Sequence, residues 1–159
     1  KTSINLKYIY MPNWVINKIS VEDKYAEKLE EISKVGIARY YKPIPEELVN
    51  TIAPQRIPET ISAEHSNYLK SKYGFDNWYY WCVKNWGTKW GCRENEFTNN
   101  EYWYHTAWAP LCRDLFERLA IDIPCFNFIW EEEQGFGEKW KCENGMFTKI
   151  EEWGFFDLD

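Results

Sequence analysis

Hydrophobic and polar residues alternate in six segments of the chain, and this period of two is typical of half-buried β-strands. The clearest segment is 123–132, where an aromatic residue occupies every second position from Phe126 to Trp130. The turn sequences Thr98-Asn99-Asn100 and Asn144-Gly145 each separate two such segments and predict hairpins. The predicted strands are 14–21, 89–97, 101–108, 123–132, 136–143 and 146–153.

Other segments repeat their apolar residues every three or four positions, which is the period of an amphipathic α-helix. The first begins near Asp23 and ends at Gly36. A second long helix is predicted over 110–120, because Pro110 suits a first helical turn. Prolines in the segment 40–61 predict a loop there. Shorter helices are predicted at 46–49, 62–73 and 77–85, with Asp76 as the cap of the last one.

The order of these elements predicts an α+β fold of the ferredoxin-like type. Strand, helix, strand, strand, helix, strand is the split βαβ pattern, in which an antiparallel sheet carries two main helices on one face. Here 40–86 is a helical insertion after the first helix, and the C-terminal segments add an extra strand or hairpin. With 159 residues the chain fits a single domain, which we place at 11–159 after an N-terminal extension, 1–10.

The composition indicates a globular protein that does not span a membrane. Hydrophobic residues make up 45% of the chain and charged residues 28%, which excludes a disordered chain. No run of about 18 apolar residues is present. Polar residues also interrupt every candidate for the apolar core of a signal peptide, so we expect a soluble protein of the cytoplasm.

The acidic residues concentrate in the second half of the chain. Residues 1–75 carry 11 Lys and Arg against 9 Asp and Glu, whereas 76–159 carry 8 against 16, within a net charge of −6. Proteins that bind nucleic acid normally present a basic surface to the phosphates, so direct binding of DNA or RNA is not expected. An acidic surface instead suits a basic partner protein, or simply keeps the chain soluble.

The five cysteines and two histidines do not have the spacing of a metal site or a disulfide framework. No two cysteines form a C-x-x-C pair, and His65 and His105 lie 40 residues apart. We therefore expect free thiols, no metal and no cofactor. Cys82 and His105 could serve an enzyme as nucleophile and base, but aromatic residues flank Cys82 and favour a place for it in the core.

Two strings of residues, Asn85-Trp86-Gly87-Thr88-Lys89-Trp90 and Thr106-Ala107-Trp108, resemble those of a known family. Supporting segments are Met11-Pro12-Asn13-Trp14 with the strand that follows, 44–48, and the Gly135-Phe136-Gly137 turn. From residue 11 to about 145, the chain resembles the YubB-type ferredoxin-like domains of phage and plasmid proteins, a family of unknown function. The resemblance implies the same fold and a mobile-element accessory protein in a bacterial cytoplasm, and it implies no catalytic residues.

The preferred hypothesis is a non-enzymatic accessory protein that binds and blocks a host protein. If the aromatic residues of 123–132 face the helices, the residues between them lie on the open face of the sheet and can dock on a basic surface. The mobile-element context makes a host defence protein, of a CRISPR or restriction system, the expected partner. The residues predicted to bind it are Asn127, Ile129, Glu131, Glu132, Glu133, Glu151, Glu152 and Asp157.

Two other functions stay open at this point. Aromatic residues at 101–108 and 124–130 could stack the bases of a single-stranded nucleic acid, although these segments contain no Lys or Arg for the phosphates. The third hypothesis is an enzyme of unknown type, for which Glu131 and Glu133 would share one face of a strand. The open face could also join two copies of the chain in a homodimer.

Overall fold

The computed structural model describes residues 13–52 and 61–154, and the predicted extension 1–10 and Asp157 lie outside this described part. The strands are β1 (Trp14–Ser20), β2 (Arg93–Thr98), β3 (Glu101–Ala107), β4 (Phe126–Glu132), β5 (Gly137–Glu143) and β6 (Met146–Trp153). The helices are α1 (Asp23–Val35), α2 (Ile37–Tyr41), α3 (Glu46–Val49), α4 (Ala63–Tyr73), α5 (Trp78–Trp86) and α6 (Arg113–Asp122).

The six strands form one open antiparallel sheet in the order β2-β3-β1-β4-β5-β6. The predicted α+β class is confirmed, and every predicted strand segment contains a strand of this sheet. β5 and β6 are joined by Asn144 and Gly145, which both have positive φ angles, as a tight two-residue hairpin turn requires. This hairpin extends the sheet beyond β4, where the sequence predicts an extra strand or hairpin.

Buried positions alternate with exposed or half-buried ones along the three central strands and share one face of the sheet. The apolar buried residues pack with α1 and α6 in a single hydrophobic core, and the Phe116 ring of α6 lies 4.3 Å from the Phe128 ring. The expected orientation of the β4 aromatic residues towards a helix is therefore confirmed. The buried strand positions on this face are Val15, Asn17, Ile19, Tyr102, Tyr104, Thr106, Phe126, Phe128, Trp130 and Glu132.

The opposite face of these strands is exposed or half-buried, and we call it the open face. Ile16 is 45% exposed, Asn127 and Glu131 are exposed, and Lys18 and Ile129 are half-buried. The expected positions of Asn127, Ile129 and Glu131 on this face are confirmed. The register places further residues on it, namely Trp14, Ser20, Trp103, His105, Lys139 and Lys141.

Two local features of the helices differ from the sequence prediction. Gly36 ends α1 as predicted, but its φ of +88° turns the chain directly into the short helix α2, which the pattern does not predict. The N-cap of α5 is Asn77, whose Oδ1 accepts a 3.0 Å hydrogen bond from the Tyr80 backbone N–H. The cap is therefore not Asp76, whose carboxylate accepts a hydrogen bond from the Ser66 hydroxyl instead.

Both edge strands of the sheet are irregular. β2 begins at Arg93 and not at residue 89, because Gly91 first turns the chain against the Trp86 ring with a φ of +66°. The pairing of β2 with β3 shifts in register after Arg93, and the pairing of β6 with β5 shifts after Lys139. Such irregularities hinder the addition of another strand at a sheet edge. We therefore expect a partner to contact a face of the sheet.

Candidate functional site

Four residues of the two resembling strings are buried and hold the core together, namely Trp86, Thr88, Thr106 and Ala107. Trp86 is 1% exposed, and its indole Nε1 donates a 2.9 Å hydrogen bond to the carbonyl oxygen of Lys42. Thr88 is fully buried, and its hydroxyl donates a 2.8 Å bond to the carbonyl oxygen of Ala107. Thr106 is also fully buried and lies on the core face of β3. These contacts join the end of α5 to β3 and to the chain after α2.

Two more residues of these strings fix the start of α6. Gly87 has a φ of +80°, and a Cβ atom added there would lie 2.9 Å from the backbone N of Cys112. The same backbone N–H donates a 2.9 Å bond to Trp86 O, and the Cys112 thiol donates to Asn85 O at 3.3 Å. Asn85 itself donates from Nδ2 to Trp81 O at 2.9 Å. Gly87 and Asn85 therefore have structural roles.

The remaining three residues of the strings form a surface cluster of rings around a lysine. Lys89 Nζ lies 3.9 Å from the ring centroid of Trp90 and 4.9 Å from that of Trp108, which is 38% exposed. Partial burial of its amine lowers the pKa of Lys89. The Trp90 ring in turn lies 5.8 Å from Trp14 on the open face. These contacts connect Lys89, Trp90 and Trp108 to the open face through Trp14.

Two of the predicted acidic residues lie beside β1, the strand whose Trp14 contacts this ring cluster. The backbone N–H of Glu133 donates a 3.1 Å bond to the carbonyl oxygen of Trp14, and Glu131 lies opposite Ile16 on the open face. The indole Nε1 of Trp153 donates a 2.8 Å hydrogen bond to the Glu131 carboxylate. We call this set the ring-and-acid surface, and its members are Trp14, Lys89, Trp90, Trp108, Glu131, Glu133 and Trp153.

Two other predicted acidic residues do not lie on the open face. Glu132 is only 3% exposed, because consecutive strand residues point to opposite faces, and its carboxylate accepts a 2.7 Å bond from the backbone N–H of Gln134. Glu152 lies opposite Glu138 of β5 on the helix-facing side of the sheet. Lys149 Nζ lies 2.6 Å from the Glu152 carboxylate there. Glu132 and Glu152 are therefore unavailable to a partner that docks on the open face.

The open face carries charges of both signs, so it is not uniformly acidic. Glu151 lies opposite Lys139, and Lys18 pairs with Glu101 at 3.0 Å. Although the strand segments of β3 and β4 contain no Lys or Arg, the neighbouring strands bring cations to the same face. Its cations are Lys18, Arg93, Lys139 and Lys141, and its acids are Glu96, Glu101, Glu131, Glu143 and Glu151.

The proposed nucleophile and base of an enzyme lie on different sides of the sheet. Cys82 is 2% exposed in the core, and its burial raises the pKa of the thiol to about 12. His105 lies on the open face, with Nδ1 3.3 Å from a Glu94 carboxylate oxygen and its ring against Trp14. Within residues 13–52 and 61–154, no group of three or more His, Cys, Asp or Glu side chains could hold a metal ion.

Alkylation tests this position of Cys82. At pH 8.5 we expect Cys82 of the folded protein to react with iodoacetamide about a hundredfold more slowly than in urea, because the raised pKa leaves little thiolate. Its rate should keep rising above pH 10, where an ordinary thiol with a pKa of about 8.5 is already almost fully deprotonated. Mass spectrometry of the modified peptide measures both rates, and equal rates in the folded and unfolded protein would contradict the buried position.

Comparison with known proteins assigns this chain to no family. No family model, no curated protein and no solved structure matches the chain. Among the described residues, no helix combines the length and apolar character needed to cross a membrane. The resemblance to the YubB-type domains therefore stays a prediction.

Proposed function

We propose that this chain is a non-enzymatic protein-binding module that docks its ring-and-acid surface on a basic surface of a partner protein. The observation that carries the proposal is the meeting of two sets of residues that are distant in sequence. Lys89, Trp90 and Trp108 come from the resembling strings, and Glu131 and Glu133 follow from the strand pattern of β4. The two sets meet at β1, where the Trp90 ring contacts Trp14, the Glu133 backbone N–H bonds to the Trp14 carbonyl oxygen and Glu131 lies opposite Ile16.

The chemistry of this surface suits a protein partner. Tryptophan supplies large apolar area at low cost in side-chain entropy, and it is enriched among the residues that dominate binding energy. Carboxylates beside such rings guide the approach of a basic partner. Trp153 holds the Glu131 carboxylate in place, so this acid is partly pre-organised for the contact. The net charge of −6 favours approach of a basic surface as well.

We also propose the more specific role that the resemblance implies. In that role the chain is a ferredoxin-like phage or plasmid accessory protein, and its partner is a host defence protein whose nucleic-acid site it blocks. The strand order β2-β3-β1-β4 supports the ferredoxin-like classification, since it is the order of the split βαβ pattern. The inhibitor role rests on the resembling strings and on the carboxylates, which would replace phosphates on the partner.

Charge reversal tests the protein-binding function. We expect the double variant Glu131→Lys with Glu133→Lys to reduce capture of the partner at least about tenfold, because two attractive charges become repulsive. The measurement is affinity capture by the purified chain from nuclease-treated bacterial lysate, quantified by mass spectrometry. Both glutamates are exposed, so the melting temperature should change little.

The matched control is Glu27→Lys with Glu30→Lys, which makes the same charge change on exposed positions of α1. A protein that is lost with the first pair and retained with the second is a partner of the ring-and-acid surface. If both double variants lose the same proteins, net charge alone explains capture and the proposed site is contradicted.

Binding of single-stranded nucleic acid to the open face is the second candidate, and one observation favours it. Lys18 Nζ lies 5.1 Å from the Trp103 ring centroid, so a cation and a stacking ring are adjacent on the open face. The acids on the same face oppose phosphate binding, which is why we place this function second. A gel shift with single-stranded oligonucleotides that weakens as salt increases would favour it over a protein partner.

A further inference from the structure

A ring-lined groove of about 170 Å³ lies on the helix-facing side of the sheet, away from the ring-and-acid surface. It forms where β5 and β6 extend the sheet past α6. A cavity of about 150 Å³ holds a benzene-sized molecule, so this groove has room for one side chain. Its apolar lining includes Leu111, Phe116, Phe126, Phe128, Trp130 and Trp140.

Two charged side chains, Glu138 and Arg113, line this otherwise apolar groove. The Arg113 guanidinium lies 5.3 Å from the Phe147 ring centroid and pairs with Glu117 at 2.9 Å, which leaves Glu138 as the acceptor. Glu138 is oriented by two indoles, since its Oε2 accepts hydrogen bonds from Trp140 Nε1 at 2.8 Å and from Trp130 Nε1 at 3.2 Å. The two rings that form the wall therefore also fix the position of the charge. Such a carboxylate among rings is a suitable acceptor for a cationic side chain with an apolar stem.

The chain's own Lys149 shows which chemistry this carboxylate accepts. Its Nζ lies 3.1 Å from Glu138 Oε1, 2.6 Å from Glu152 Oε2 and 5.6 Å from the Trp140 ring centroid. One ammonium is thus shared by two carboxylates, and since Arg113 is already paired with Glu117, one negative charge remains in excess at this end of the groove. A second cation would balance that charge.

We infer that the groove binds an arginine side chain of a partner protein. Its methylene stem packs among the rings, and its guanidinium stacks on an indole and pairs with Glu138 and Glu152. Arginine suits this arrangement better than lysine, because its planar head both stacks on rings and binds carboxylates through several N–H groups. The inference does not depend on the proposed function, since the groove and the ring-and-acid surface lie on opposite faces of the sheet.

Butylguanidinium is the probe for this site, because it reproduces the stem and head of arginine. We expect it to shift the indole Nε1–H NMR signals of Trp130 and Trp140 in the full chain. Its dissociation constant should be about fivefold lower than that of 1-butanol, which fills the same space without the charge. Equal dissociation constants for the two probes, or no shift of either indole signal, would overturn the inference.

Three variants separate the charge from the shape of the groove. Glu138→Gln should remove the preference for butylguanidinium over butanol, whereas Glu143→Gln, on the other face of β5, should retain it. Lys149→Ala should strengthen butylguanidinium binding about threefold, because it removes the competing ammonium. If Glu138→Gln does not fold, the Lys149→Ala result decides, and unchanged or weaker binding by that variant contradicts the inference.

Discussion

Replacing Trp86 with alanine is expected to lower the free energy of unfolding by about 4 kcal/mol, because it empties a large volume of the core. Trp86 is 1% exposed, and its ring lies 5.6 Å from the Trp81 ring in an edge contact. The substitution also leaves the Lys42 carbonyl oxygen without the indole donor. Urea denaturation followed by far-UV circular dichroism measures the change.

Two control variants test whether the resembling strings divide into structural and exposed residues. Trp86→Phe keeps most of the ring but loses the N–H donor, so it should cost about 2 kcal/mol. Trp108→Ala removes a ring that is 38% exposed and should cost less than about 1 kcal/mol. If Trp108→Ala costs as much as Trp86→Ala, the division is incorrect and Trp108 belongs to the core.

The strands could be predicted because each central strand has one buried face. The alternation in β4 determines which side chains face α6, so it also places Asn127, Ile129 and Glu131 on the other side. The same alternation places the Glu132 side chain on the buried, helix-facing side of β4, between the exposed Glu131 and Glu133. The candidate binding set includes Glu132 because the binding hypothesis places Glu132 and Glu133 at the end of the open face, as if the strand alternation stopped at Glu131. In the structure β4 continues to Glu132.

The edges of the sheet could not be predicted in the same way. The register shift between β5 and β6 decides that Glu151 shares a face with Lys139 while Glu152 lies on the other side. Almost all of β6 is exposed, so its hydrophobic pattern carries no signal for this shift. The short helix α2 was missed for a related reason, since Gly36 both ends α1 and permits the turn into α2.

The ring-and-acid surface depends on contacts between distant parts of the chain. Trp14 and Trp90 lie 76 positions apart in the printed sequence, and no local pattern indicates that their rings meet. Trp153 was likewise not among the predicted site residues. The signal that could have found it is Gly137, which lies opposite Trp153 and has no side chain to exclude the ring.

Gly137→Ala is expected to lower the free energy of unfolding by about 3 kcal/mol, because the new methyl group has no space. A Cβ atom there would overlap the backbone oxygen of Trp130 and would lie 2.7 Å from the Trp153 ring. Either β4 and β5 must separate locally, or the Trp153 ring must leave its place beside Glu131. Urea denaturation measures the stability, and the NMR signal of the Trp153 indole N–H reports the lost hydrogen bond.

Gly135→Ala is the matched control for this substitution. Gly135 lies two residues away with a φ of +89°, but nothing lies within 4 Å of the added Cβ atom. It should therefore cost only the backbone strain of a left-handed alanine, about 1 kcal/mol, and leave the Trp153 signal unchanged. Because Trp153 holds Glu131, Gly137→Ala should also weaken partner capture, whereas Gly135→Ala should not. Equal effects of the two variants on the Trp153 signal would show that Gly137 does not make room for the ring.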